Sequence, residues 1–131
     1  MFKFELEHIP EIKGRVNFYL LIIDGKCQYR EFEERVSTNG NLEQELDKLQ
    51  LRFQEIAEMI RPIDKTKFRE ITPKKESVKE YEAKTKNLRV YLIHQENKGR
   101  VIILAGQKNT QKKDIRKFRN IKKQYLDTLT L

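Results

Sequence analysis

Hydrophobic and polar positions change period several times along this chain, and each change marks an element. Phe2, Phe4 and Leu6 alternate with Lys3 and Glu5, the two-residue period of a half-buried strand. Pro10 and Gly14 interrupt the chain, and residues 16–23 follow as an apolar run suited to the inside of a sheet. Asp24-Gly25 is a preferred two-residue turn because both residues tolerate positive φ, so residues 26–32 are expected to return as a strand carrying Cys27. Leu42, Leu46, Leu49, Phe53, Ile56, Ala57 and Ile60 then recur every three or four residues. That is the stripe of a long amphipathic helix, capped by Asn41 with Gln44 three residues on, and stopped by Pro62. The stripe is either the helix's core face or a seam for a partner, and core packing suits so short a chain better. A short helix is expected around Phe68 within residues 63–71, and residues 72–77 read as a loop.

From Val78 the period returns to that of strands. With Lys86-Asn87 as a two-residue turn, Thr85 faces Leu88, Lys84 faces Arg89, Ala83 faces Val90 and Glu82 faces Tyr91. A four-residue loop in the next hairpin pairs Gln95 with Arg100 and brings Gly106 opposite Arg89. Alternation then places Tyr81, Ala83, Val90, Leu92, Val101, Ile103 and Ala105 on one face. Ile93, Ile102 and Leu104 lie on the other, with Lys84, Arg89 and Tyr91 at its far end. The last helix is expected over residues 111–126, capped by Asn109 or Thr110. Ile115, Phe118, Ile121, Tyr125 and Leu129 form its apolar stripe, leaving Lys112, Lys113, Arg116, Lys117, Arg119 and Lys123 outside. These elements predict an α+β fold: an antiparallel sheet packed by a long helix and a short one, with a basic C-terminal helix. The whole chain, 1–131, reads as one domain with an N-terminal hairpin at about 16–32.

Composition adds charge to this picture. Hydrophobic and charged residues each make up 37% of the chain, which allows a modest core under a heavily charged surface. No apolar run is long enough for a membrane span, the N-terminus lacks a signal-peptide pattern, and Cys27 is the single cysteine, so a cytoplasmic protein without membrane association is expected. The net charge is +8, yet residues 84–123 hold 13 Lys and Arg against Glu96 and Asp114, so the remainder is slightly acidic. Charge concentrated in this way points to nucleic acid, an anionic surface or an acidic protein partner. Lys84 facing Arg89, with Lys108 just beyond Gly106, sets like charges together. This end of the sheet is either a solvated cluster of splayed side chains or a phosphate site, for which Gly106 leaves room above Arg89. Removing Arg89 should then relieve repulsion at no cost to folding, and Arg100, near the far hairpin tip, should matter little. Zinc-finger spacings, glycine-rich phosphate loops and paired carboxylates are missing, so no metal or other cofactor is expected.

The C-terminal half carries a resemblance. Tyr81-Glu82-Ala83-Lys84, then Lys86-Asn87-Leu88-Arg89-Val90-Tyr91, then the strand from Gly99 to Gly106 with Gln107-Lys108-Asn109-Thr110-Gln111-Lys112 resembles the RelE/HigB/ParE toxin superfamily, in particular its phage-derived, HigB-like branch. The match covers residues 78–125 and reproduces an order of motifs. It implies a toxin of a type II toxin–antitoxin pair, held inactive by an acidic antitoxin, that cuts messenger RNA on the ribosome without a metal. The 2′-hydroxyl attacks the adjacent phosphate, leaving a cyclic phosphate and a free 5′-hydroxyl. By the same resemblance Arg89 contacts the scissile phosphate, Lys84 is general base or charge stabiliser, and Lys108 assists the leaving group. Lys86, Tyr91, Gln111, Lys112, Lys113, Arg116, Lys117 and Lys123 are the surrounding candidates for RNA contact. Glu82 stands where some family ribonucleases have a basic residue, and Lys108 where arginine is frequent. ParE-like relatives share the scaffold but target DNA gyrase, so a protein target, or a non-catalytic nucleic-acid-binding module, stays open beside the ribonuclease.

Overall fold

The computed structural model describes residues 2–59 and 62–129. Its elements run β1 (Phe4–His8), β2 (Asn17–Ile23), α1 (Gln28–Ser37), α2 (Gly40–Glu58), β3 (Phe68–Glu70), β4 (Glu80–Lys84), β5 (Leu88–Gln95), β6 (Gly99–Gln107), a 3-10 turn (Lys108–Thr110) and α3 (Gln111–Leu129). The fold is α+β, and the six strands form one sheet in the order β1-β2-β6-β5-β4-β3. Every neighbouring pair is antiparallel except β2 and β6, which run parallel, so the sheet is mixed and not the purely antiparallel one expected.

Helices cover both faces. Tyr29, Phe32 and Val36 of α1 and Leu49, Phe53 and Ile56 of α2 pack with Phe18, Leu20, Val90, Leu92, Ile102 and Ala105. Phe118 and Tyr125 of α3 pack on the opposite face with Leu21, Tyr91, Ile93, Val101, Ile103 and Leu104. A sheet buried on both sides needs apolar side chains at successive positions, which is why β2, β5 and β6 read as continuous hydrophobic runs and not as alternations.

Two expected elements change type. Asp24 (φ 50°) and Gly25 (φ 80°) do form the tight turn, but the return is a single bridge from Ile23 to Lys26, after which the chain is helical as α1. Tyr29, Phe32 and Val36 recur at helical spacing and are all buried, so the helix hides three large side chains that a strand would have divided between two faces. The expected hairpin extension over 16–32 is thus β2 followed by α1. Around Phe68 the short helix is replaced by edge strand β3, pairing Phe68 with Ala83 and Glu70 with Tyr81. The long helix α2 is present, although its N-cap is Asn39, whose side chain accepts from the Asn41 amide, and it closes on Met59 at φ 52°. Ile60, the last residue of its expected stripe, lies outside the described residues.

The β4–β5 register is as predicted: Lys84 pairs with Arg89, Ala83 with Val90 and Glu82 with Tyr91. Gly106 also falls opposite Arg89, by a different route. The β5–β6 loop is three residues long, so Gln95 pairs with Gly99, and a bulge beside Tyr91 and Leu92 takes up the extra residue before Tyr91 meets Leu104. The bulge turns Val101 and Ile103 towards α3 and Ile102 towards α1 and α2, reversing the faces expected for these three. Gly99 (φ 144°) passes so close to β2 that a Cβ there would lie 2.2 Å from the Asn17 carbonyl oxygen.

Candidate nucleic-acid interface

The β4–β5 turn is held from behind by α2. Glu45 is buried at the start of that helix, and its carboxylate accepts from the Thr85 hydroxyl, the Asn87 amide at 2.8 Å and the Asn87 side-chain amide at 2.7 Å. Burial alone would raise its pKa, but these hydrogen bonds outweigh it and hold the carboxyl below the usual range. With the turn anchored, Lys84, Arg89 and Gly106 stand side by side on adjacent strands, on the face that α3 partly covers.

Arg89 is only 7% exposed. Its Nη1 donates to the Thr85 carbonyl at 2.6 Å and the Leu88 carbonyl at 2.9 Å, so the guanidinium is folded back on its own turn. Lys84 lies 3.9 Å from the carboxylate of Glu82, which is wholly buried, is paired with Arg69 at 3.1 Å and accepts from Gln111 at the start of α3. The space above Gly106 is filled: a Cβ there would meet the Asp114 carboxylate, which accepts from the Thr110 hydroxyl at 2.6 Å. The expected like-charge cluster is therefore threaded by two carboxylates, one from the sheet and one from α3. Arg89 is a brace for the turn, so its removal costs hydrogen bonds and does not simply relieve repulsion.

Of the other candidates, Tyr91 is 0% exposed and stacks against Phe118 at 5.7 Å, so it belongs to the core and offers no face to RNA. Burial, with the Glu82 carboxylate next, raises its hydroxyl's pKa. Gln111 is spent on Glu82. Lys86, Lys108, Lys112, Lys113, Arg116, Lys117 and Lys123 are all exposed. The Lys108 amide donates to the Asn87 carbonyl at 2.8 Å, which ties the base of α3 to the β4–β5 turn. A groove of about 350 Å³ opens there, lined by Asn87, Gln107, Lys108 and Asn109. The basic surface thus begins at the turn and continues along the solvent side of α3.

Arg119 departs from the expected outer face, and Lys122 was not foreseen. Glu80 is fully buried on β4; Arg119 Nε reaches it at 2.9 Å and Lys122 Nζ at 2.8 Å. Arg119 also donates to the Ile71 carbonyl and Lys122 to the Val78 carbonyl. The signal for Lys122 was available: Phe118, Lys122 and Tyr125 share one helical face, and a lysine within an apolar stripe demands a buried countercharge. Glu80 and Glu82, two residues apart on one strand, supply carboxylates to the same face of the sheet. Leu129, expected in the stripe, is half exposed.

No family model, curated protein or solved structure matches this chain.

Proposed function

We propose that this chain is the toxin of a type II toxin–antitoxin pair with a RelE-like fold, acting on messenger RNA at the ribosome through the basic surface that runs from the β4–β5 turn along α3. The observation that carries this reading is the juxtaposition of Lys84, Arg89 and Gly106 on adjacent strands, next to exposed Lys86, Lys108, Lys112 and Lys113. Phosphate backbones are held by such point charges, and phosphoryl transfer asks for positioning and charge compensation more than for covalent chemistry. In the cleaving form the 2′-hydroxyl oxygen bonds to the adjacent phosphorus as the bond to the 5′-oxygen breaks. Lys84 takes the hydroxyl proton or steadies the phosphorane charge, Arg89 contacts the phosphate, and Lys108 steadies the departing oxygen. An acidic antitoxin would cover the same surface, since opposite charge both steers its approach and blocks substrate.

A second reading is a toxin-like binder that does not cut, directed at nucleic acid or at a protein such as gyrase. It is favoured by Arg89 being engaged with the turn carbonyls and by the Asp114 carboxylate standing over Gly106. Induced expression followed by mapping of message ends, with a supercoiling assay alongside, separates the two. Growth arrest with new 5′-hydroxyl ends, relieved by co-expression of an adjacent acidic gene product, is the expected result. Arrest with intact messages assigns the binding reading, and no arrest with no binding neighbour removes the toxin assignment.

A further inference from the structure

On the opposite side of the sheet, away from the basic surface, Arg100 is 8% exposed and has no acidic partner among the described residues. Its side chain reaches from β6 across β5, with Cζ 4.4 Å from the Tyr81 ring centre on β4 and 5.7 Å from that of Phe68 on β3. Those two rings are themselves stacked at 5.0 Å. Stacking satisfies the flat face of a guanidinium but not its N–H groups, which lie in the plane and point outward past the ring edge. Arg100 Nε and Nη1 are buried without a hydrogen-bond partner. Its cross-strand neighbour His94 brings no countercharge: burial, and then the Arg100 charge itself, hold the imidazole below its usual pKa.

This guanidinium lines a groove of about 360 Å³ whose other walls are apolar: Ile56, Met59, Pro62, Ile63 and Phe68. The one acid on the rim, Glu55, is turned to Arg52 at 3.5 Å. Met59, half exposed, supplies an adaptable apolar wall. The groove runs beside β3, the outermost strand of the sheet, which has no further strand on its outer side among the described residues. An extended chain can therefore lie along the edge while a side chain enters the groove.

We propose that this groove is a docking site for an extended segment of a partner protein that carries a carboxylate between apolar side chains. The carboxylate would take the two unsatisfied N–H groups of Arg100, whose planar fork matches its geometry, and the flanking apolar groups would cover Met59 and Ile63. The inference stands apart from the proposed function, since it uses neither the basic surface nor any residue assigned to RNA.

The test is nuclear magnetic resonance on the full chain with three probes: the capped peptide Leu-Phe-Glu-Leu, its glutamine counterpart, and hexanoate. The glutamate peptide should shift the Arg100 Nε–H signal and the methyl signals of Ile56, Met59 and Ile63. The glutamine peptide should bind about tenfold or more weakly, the loss expected for a charge-assisted hydrogen-bonded pair. Arg100→Met, which fills the same volume without a charge, should keep the dispersed spectrum of the folded chain and lose the preference for glutamate. Should that variant unfold, the comparison of the two peptides on the unaltered protein still decides. Equal affinity for both peptides, shifts confined to α3, or no shift at about millimolar peptide, a Kd too weak for a docking site, overturns the proposal. Hexanoate binding as tightly as the glutamate peptide overturns the partner-segment assignment in favour of a small carboxylate.

Discussion

Arg89 and Glu45 hold the β4–β5 turn from opposite sides, and each turns a charged side chain into a fastener for backbone groups. Hydrogen bonds to charged groups contribute about 1.5–3 kcal/mol, so Arg89→Ala should lower the unfolding free energy by roughly that amount, measured by denaturant titration. A variant as stable as the parent would return Arg89 to the role of a purely functional cation. Glu45 permits a test of sign. Its pKa is lower in the folded chain than in the unfolded one, so its contribution is complete above the ordinary glutamate value of about 4.3 and is lost as pH falls through the folded value. Glu45→Gln should therefore be less stable than the parent at neutral pH, and the gap should close in acid. A gap that stays constant between neutral pH and about pH 3, well below that reference value, would show that packing and not charge is at stake.

Helix α3 is docked by two kinds of contact, an apolar seam through Phe118 and Tyr125 and a polar one through Glu80, Arg119 and Lys122. The lysine and the glutamate are both buried, so removing either leaves the other's charge uncompensated, a loss of about 3–5 kcal/mol in comparable cases. Glu80→Gln should accordingly destabilise the chain, with backbone hydrogen exchange of α3 rising before that of β5 and β6. Uniform exchange across all elements would mean that α3 does not open separately. The outer side of the same helix should behave in the contrary manner. Arg116, Lys117 and Lys123 are exposed, and reversing all three to glutamate should leave unfolding nearly unchanged while weakening RNA binding. The parent's affinity should fall steeply with salt as phosphate contacts release counterions, and the triple variant's salt slope should be shallower by about 3, near one unit per lost cation. An unchanged slope would leave those residues to solubility alone.

At the scale of the molecule, the concentration of positive charge that marks residues 84–123 is partly consumed within the fold. Arg119 and Lys122 neutralise Glu80, Lys84 and Arg69 surround Glu82, Arg89 serves carbonyl groups, and Arg100 lies on aromatic rings. What faces solvent is a narrower band from Lys86 and Lys108 along α3. Among the described residues no helix is long and apolar enough to cross a membrane.

Local pattern was enough for strands β1, β2, β4, β5 and β6, for helices α2 and α3, and for the pairing of Lys84 with Arg89, because hydrophobic period and turn chemistry act over a few residues. It failed at residues 26–37, where Cys27, Tyr29 and Lys26 imitate an alternating strand although Tyr29, Phe32 and Val36 carry the helical period that burial selects. It failed again in β6, where one bulged residue reverses three side chains and no local signal announces it. The candidate cations were legible as a group, since charge is written in the residues themselves. Which of them stay in water was decided only by the fold, because a carboxylate far away in sequence, Glu80 or Glu82, meets its cation only once β4 lies under α3 and one buried charge can offset another.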